Sequence, residues 1–180
     1  DATAAVGLGA DFLGLNFWPG SKRFLDARAA PAVVGAARAA GAAALVGVFV
    51  DQPTADIAAI ARGLGLDAIQ LHGDEPPAQL AEVAAATGRP VWKARAVDGA
   101  GAIAALDALG AAVVLLDAPS PGRGGAGKGF DWSFAVLAMA RFPGLPIAIA
   151  GGLTVDNVGP SIALVAPWAV DVASGVESAP

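Results

Sequence analysis

Short apolar runs alternate along the chain with longer stretches rich in alanine and leucine. The runs are FLGLNF (12–17), ALVGVFV (44–50), AIQLHG (68–73), VWKARAV (91–97), AVVLLD (112–117), PIAIAGG (146–152) and AVDVASG (169–175). Each has the length of a buried strand, and four are rich in Val or Ile. Between them, residues 26–41, 53–65, 75–88, 130–142 and 154–166 read as helices. Helix stops are visible at Gly41, Gly65, Gly88, Gly110 and Gly144, and Thr154 reads as an N-cap. Strand–helix alternation with connections of this length predicts parallel strands joined by right-handed crossovers. The expected fold class is therefore α/β. Seven strands fit an almost complete (β/α)8 TIM barrel, whose usual length is about 250 residues. A doubly wound open sheet is the alternative. The barrel is favoured because no early glycine fingerprint is followed by an acidic ribose ligand. No internal boundary is evident, so residues 1–180 are expected to form one domain.

Composition narrows the partners. With 56% apolar and 15% charged residues, the chain has ample material for a core and no disordered signature. No apolar run reaches about 18 residues, and the start, DATAAVGLGADF, lacks a basic head, so neither a membrane partner nor a secretory signal is expected. A cytoplasmic setting is compatible with this. There are no cysteines, which excludes disulfides, thiolate metal sites and any thiol base within these residues. The net charge of −5 and the lack of a basic run with interleaved aromatics argue against nucleic acid. His72 is the sole histidine and has no spaced ligand cluster around it, so no metal and no cofactor are expected.

Candidate chemistry gathers near the C-terminal ends of the strands, where a barrel enzyme places its site. Asn16, Asp51, Gln70, His72, Lys93, Arg95, Asp117 and Asp171 are polar residues in or just after otherwise apolar runs. Alternation puts Gln70 and His72 on one face, and likewise Lys93 and Arg95. A satisfied internal polar network is the competing reading of the group. The run GRGGAGK (122–128) approaches a nucleotide phosphate loop, but Gly129 stands where a magnesium-binding hydroxyl is needed, and Ala118–Pro121 intervene after Asp117. A cationic lid over a reacting anion is the better reading of that loop.

These residues resemble the phosphoribosylanthranilate isomerase family, (β/α)8 enzymes of tryptophan biosynthesis. The resemblance is carried, in the family's order, by GADFLGLNFWPGSKRFL, VGVFVD, IQLHGDE, VWKARAV, LLDAPSPGRGGAGKGFDWS, IAGGLTVDNV and VDVASGVE. It implies an Amadori rearrangement of N-(5-phosphoribosyl)anthranilate to 1-(2-carboxyphenylamino)-1-deoxyribulose 5-phosphate. A general acid protonates the ring oxygen to give a Schiff base, and a general base removes the C2 proton to give an enolamine. The resemblance makes Asp117 the acid, a role that requires a carboxyl holding its proton near neutral pH. It assigns Arg23 to the anthranilate carboxylate, a planar anion that suits a guanidinium fork. The barrel rule points to Gly151, Gly152, Ser174 and Gly175 for the phosphate. Asp171 is expected to orient a neighbour there, and Gln70 and His72 to line the wall.

One departure matters. The family's base is a cysteine ending the first barrel strand, in a K-I-C-G-like stretch, and these residues contain neither. The sequence therefore reads as a member clipped at both ends, carrying strands two to eight, without the first strand and last helix. The intact parent is expected to be an isomerase and this chain alone to be inactive or nearly so. An indole-glycerol-phosphate synthase-like enzyme and a non-catalytic phosphate-binding module are the rivals. Oligomeric state is not legible in the sequence.

Overall fold

The computed structural model describes residues 1–104, 106–118 and 131–177. The glycine-rich run 122–128, expected to act as a lid, lies outside them, and so does Lys128. The chain divides into two compact units, Asp1–Val91 and Trp92–Pro180.

In the first unit a short helix α1 (Ala2–Gly7) leads into β1 (Phe12–Asn16), α2 (Ala30–Ala40), β2 (Ala44–Phe49), α3 (Thr54–Leu64), β3 (Ala68–Leu71) and α4 (Pro77–Thr87). The strands pair in parallel in chain order, with Leu15 opposite Gly47, Asn16 opposite Val48, and Val48 opposite Gln70. Paired residues of parallel strands point to the same side, so the register sorts the sheet into two faces. One bears Leu15, Leu45, Phe49, Ile69 and Leu71, all buried, and Phe17 stacks on Phe49 at 5.3 Å. Gly47 sits in this face because a Cβ there would lie 2.5 Å from Leu66, which follows α3. The other face bears Gly14, Asn16, Val46, Val48, Ala68 and Gln70. Proline opens α2 and α4, and left-handed glycines, Gly65 and Gly88, close α3 and α4.

At the opposite strand ends a clasp ties α2 to the sheet. Arg38 donates to Gly65 O at 2.9 Å and to Asp67 Oδ2 at 2.7 Å. The same carboxylate oxygen accepts from Leu45 N at 2.7 Å, so one aspartate satisfies a strand-opening amide and a helix-borne guanidinium together.

The second unit holds β4 (Val91–Ala96), which begins at the boundary, then β5 (Val113–Asp117), α5 (Trp132–Arg141), β6 (Ile147–Ile149), α6 (Val158–Val165) and β7 (Ala169–Val170). These strands too are parallel and in chain order. Two 3-10 turns, Ala100–Ile103 and Asp107–Leu109, lie between β4 and β5, and Gly110 closes the second in the left-handed region. Asp131 caps α5 by accepting from Ser133 N at 3.0 Å. Hydrogen bonds from the Ser133 side chain and then its backbone hold the Asp131 carboxyl below its usual 3.8. The stabilisation from that cap is complete above the unfolded value and fades as pH falls through the lower folded one.

Among the described residues seven strands stand on the seven apolar runs, each shorter than its run. Helix α6 opens later than expected. Its N-cap is Asn157, not Thr154, because the Asn157 side chain accepts from Thr154 N at 2.8 Å and donates to Gly152 O at 2.9 Å. The amide thus holds residues 152–157 as a turn before the helix can begin. Among the described residues no helix is long and apolar enough to cross a membrane.

Candidate active site

In the first unit, the strand C-terminal ends carry three linked loops. Asn16 ends β1 and shapes the first of them: its Oδ1 accepts from Trp18 N at 3.0 Å and its carbonyl accepts from Leu25 N at 2.7 Å. The segment between, Phe17–Phe24, is thereby closed into a loop that presents Arg23, an exposed residue whose own N–H donates to Ser21 Oγ at 3.0 Å. Gln70, buried, and His72 share a face as expected, with Gln70 Nε2 3.0 Å from His72 Nδ1. That contact holds the ring on the face of Asn16 and Val48. Asn16 and Gln70 stand in one row of the sheet, flanking Val48, about 10 Å apart by the strand spacing.

Two carboxylates near these loops prove structural. Glu75 is buried and accepts from Asp51 N at 2.8 Å and from Gly73 N at 3.1 and 2.9 Å. Asp51, in the left-handed region at φ 51°, accepts from Asp74 N at 2.7 Å. Gly73 has no room for a Cβ, which would collide with Asp51 Oδ1. Asp51, a strand-end candidate in the sequence, is thus engaged in holding the next loop.

Gln52 went unnoticed in the sequence, where nothing but its place after VFVD marks it. Its Nε2 donates to Phe17 O at 3.1 Å, and its carbonyl accepts from Gln79 Nε2 of α4 at 2.9 Å. Its Oε1 is buried with no partner among the described residues. Such an acceptor costs about 1–3 kcal/mol. Swapping the amide atoms does not relieve it, since oxygen would then face the Phe17 carbonyl.

In the second unit, Asp117 ends β5, 8% exposed. Register sets Leu115 and Asp117 opposite Ala94 and Ala96, on one face, and Lys93 and Arg95 opposite Val114 and Leu116, on the other. Lys93 is wholly buried and Arg95 exposed. These two cations, grouped with Asp117 on sequence grounds, therefore point away from its face. The glycine turn after β6 comes to Asp117 instead. A Cβ on Gly151 would stand 2.6 Å from Asp117 Oδ1 and would collide with Ala118 N. Gly151 and Gly152 have φ of 82° and 72°, so two successive residues occupy the region that disfavours side chains by about 1–2 kcal/mol each.

The last turn packs on that one. A Cβ on Gly175 would collide with Leu153 O and lie 2.9 Å from Thr154 Cα. Val176 N donates to Ala173 O at 3.1 Å, closing the turn that carries Ser174, and Asp171 N donates to Ile149 O at 2.9 Å where β7 ends. Gly151 thus lies against Asp117 and Ala118, and Gly175 lies against Leu153 and Thr154, just after the first glycine turn. Small residues and exposed amides of this kind suit a bound anion. Among the described residues no group of three or more His, Cys, Asp or Glu could hold a metal ion.

The chain is similar to known proteins of one family. The family model described as N-(5'phosphoribosyl)anthranilate (PRA) isomerase matches residues 1–179. The N-(5'-phosphoribosyl)anthranilate isomerase of Myxococcus xanthus is 44% identical over 184 residues, covering all of this chain and 83% of that protein. The crystal structure of phosphoribosyl anthranilate isomerase from Thermotoga maritima superposes with a TM-score of 0.89 at 36% identity, over all of this chain and 85% of the other. A further solved phosphoribosyl anthranilate isomerase, in complex with reduced 1-(o-carboxyphenylamino)-1-deoxyribulose 5-phosphate, gives 0.85 at 34% identity and covers all of this chain and 84% of its own. With a parallel α/β fold that matches solved members along its entire length, the chain belongs to the phosphoribosylanthranilate isomerase family, TIM-barrel isomerases of tryptophan biosynthesis.

Proposed function

We propose that the chain acts on N-(5'-phosphoribosyl)anthranilate with Asp117 as general acid, Arg23 holding the anthranilate carboxylate, and the turns of Gly151–Gly152 and Ser174–Gly175 holding the phosphate. Asp117 gives its proton to the ribose ring oxygen as the C1–O bond breaks, leaving a Schiff base. Loss of the C2 proton to a base yields the enolamine, and its tautomer is the ketose amine product. Gln70 and His72 line the wall, and Asp171 orients a neighbour in the last turn. The single observation that carries the reading is the buried Asp117 carboxylate lying against Gly151, at the head of two glycine turns that pack on each other.

The base is supplied from outside these 180 residues, which contain no thiol. We assign the seven strands to the second through eighth of the barrel. In support, solved relatives cover the whole chain while the chain covers 84–85% of them. A cytoplasmic reaction fits a substrate that is a charged phosphate ester and does not cross membranes unaided.

Arg23→Ala tests the carboxylate clamp. Calorimetric titration with reduced 1-(o-carboxyphenylamino)-1-deoxyribulose 5-phosphate is expected to show binding weakened by about 10- to 100-fold, the worth of a charged hydrogen-bonded pair. Unchanged affinity would remove Arg23 from the site.

A further inference from the structure

We infer that Gln52 is a positioning residue for Arg23, an inference that rests on the assignment of Arg23 to the substrate carboxylate. The loop carrying Arg23 starts at Phe17 and is closed where Leu25 N meets Asn16 O at 2.7 Å. Its first peptide is held from both sides. Phe17 N donates to Val48 O at 2.9 Å, extending the ladder of β1 and β2 by one bond, and Phe17 O accepts from Gln52 Nε2 at 3.1 Å. Gln52 in turn is held by Gln79 of α4 through its own carbonyl at 2.9 Å. Three successive strand–helix units therefore meet at Gln52, whose side chain holds Phe17 O while its main-chain carbonyl is held by Gln79.

A methionine of similar length would fill the space but leave the Phe17 carbonyl without this donor. What methionine lacks is the N–H that fixes the Phe17 carbonyl, and with it the direction in which the loop leaves β1. A guanidinium clamp loses much of its strength when its root shifts, because a bidentate contact tolerates little misplacement.

The test compares two probes: reduced 1-(o-carboxyphenylamino)-1-deoxyribulose 5-phosphate, which carries the aryl carboxylate, and ribulose 5-phosphate, which does not. Gln52→Met is expected to weaken the first by about tenfold and leave the second unchanged. Added to Arg23→Ala it should cost nothing more. Gln52→Glu supplies a second readout. As a neutral acid it can donate to Phe17 O, and as a carboxylate it cannot, so the ratio of the two affinities, taken relative to the unsubstituted chain at each pH, should fall as pH rises through the glutamate's ionisation. Equal weakening of both probes, additive losses with Arg23→Ala, or a pH-independent ratio in Gln52→Glu overturns the inference. If Arg23→Ala shifts the ratio and Gln52→Met does not, only the role of Gln52 falls; if neither shifts it, the carboxylate assignment falls as well.

Discussion

Joining a strand that ends in cysteine ahead of Asp1 is expected to raise turnover of N-(5'-phosphoribosyl)anthranilate by about 10²–10⁴-fold over the 180-residue chain, the usual contribution of a positioned base. The chain has no cysteine at all. His72 Nδ1 is in contact with Gln70 Nε2, and Asp51 accepts from Asp74 N while bracing the loop after β3. Steady-state assays of the chain, of the extended form, and of the extended form with its cysteine replaced by alanine decide the matter. The first and third should be equally slow. Full turnover by the 180-residue chain would show that the base lies within it.

In the same cysteine-bearing form, Asp117→Asn is expected to lower kcat by about 10²–10⁴-fold with little change in KM. The amide matches the carboxyl in size and keeps its place beside Gly151, so folding and ground-state contacts survive. What it cannot do is release a proton to the ribose oxygen. Loss of kcat alone is the mark of an interaction that matters only as the ring opens. A loop-capping carboxylate would behave differently: Asn still accepts through its amide oxygen, and turnover would hardly move. Measuring the unfolding midpoint alongside kcat separates the two, because a structural role shows in stability first.

Much of the fold was legible in the residues. Seven apolar runs became seven strands because parallel strands buried on both faces need continuous apolar sequence. The glycines that stop helices were equally plain, since Gly65 and Gly88 adopt the left-handed conformation that marks a helix end. Strand ends were less so. The runs through His72–Gly73, Gly151–Gly152 and 171–175 look like continuing strand, yet pairing stops at Leu71, Ile149 and Val170. Small residues do not announce whether they lie flat in a ladder or turn toward a ligand. The faces of β4 were not legible either: only the pairing of Lys93 with Val114 shows that it points away from Asp117. Gln52 and Asn157 act through long-range or backward contacts to backbone, which leave no spacing pattern behind. Resemblance to the family supplied roles for Asp117 and Arg23 that no periodicity could have given.

The most direct measurement is a crystal structure of the chain with reduced 1-(o-carboxyphenylamino)-1-deoxyribulose 5-phosphate bound. The carboxylate should lie in the Arg23 guanidinium fork, the phosphate on the backbone N–H groups of Gly152 and Ser174–Gly175, and Asp117 within hydrogen-bond reach of the ribulose chain. A ligand seated with its phosphate away from those turns, or with Asp117 out of reach of the sugar, would contradict the assignment of all three.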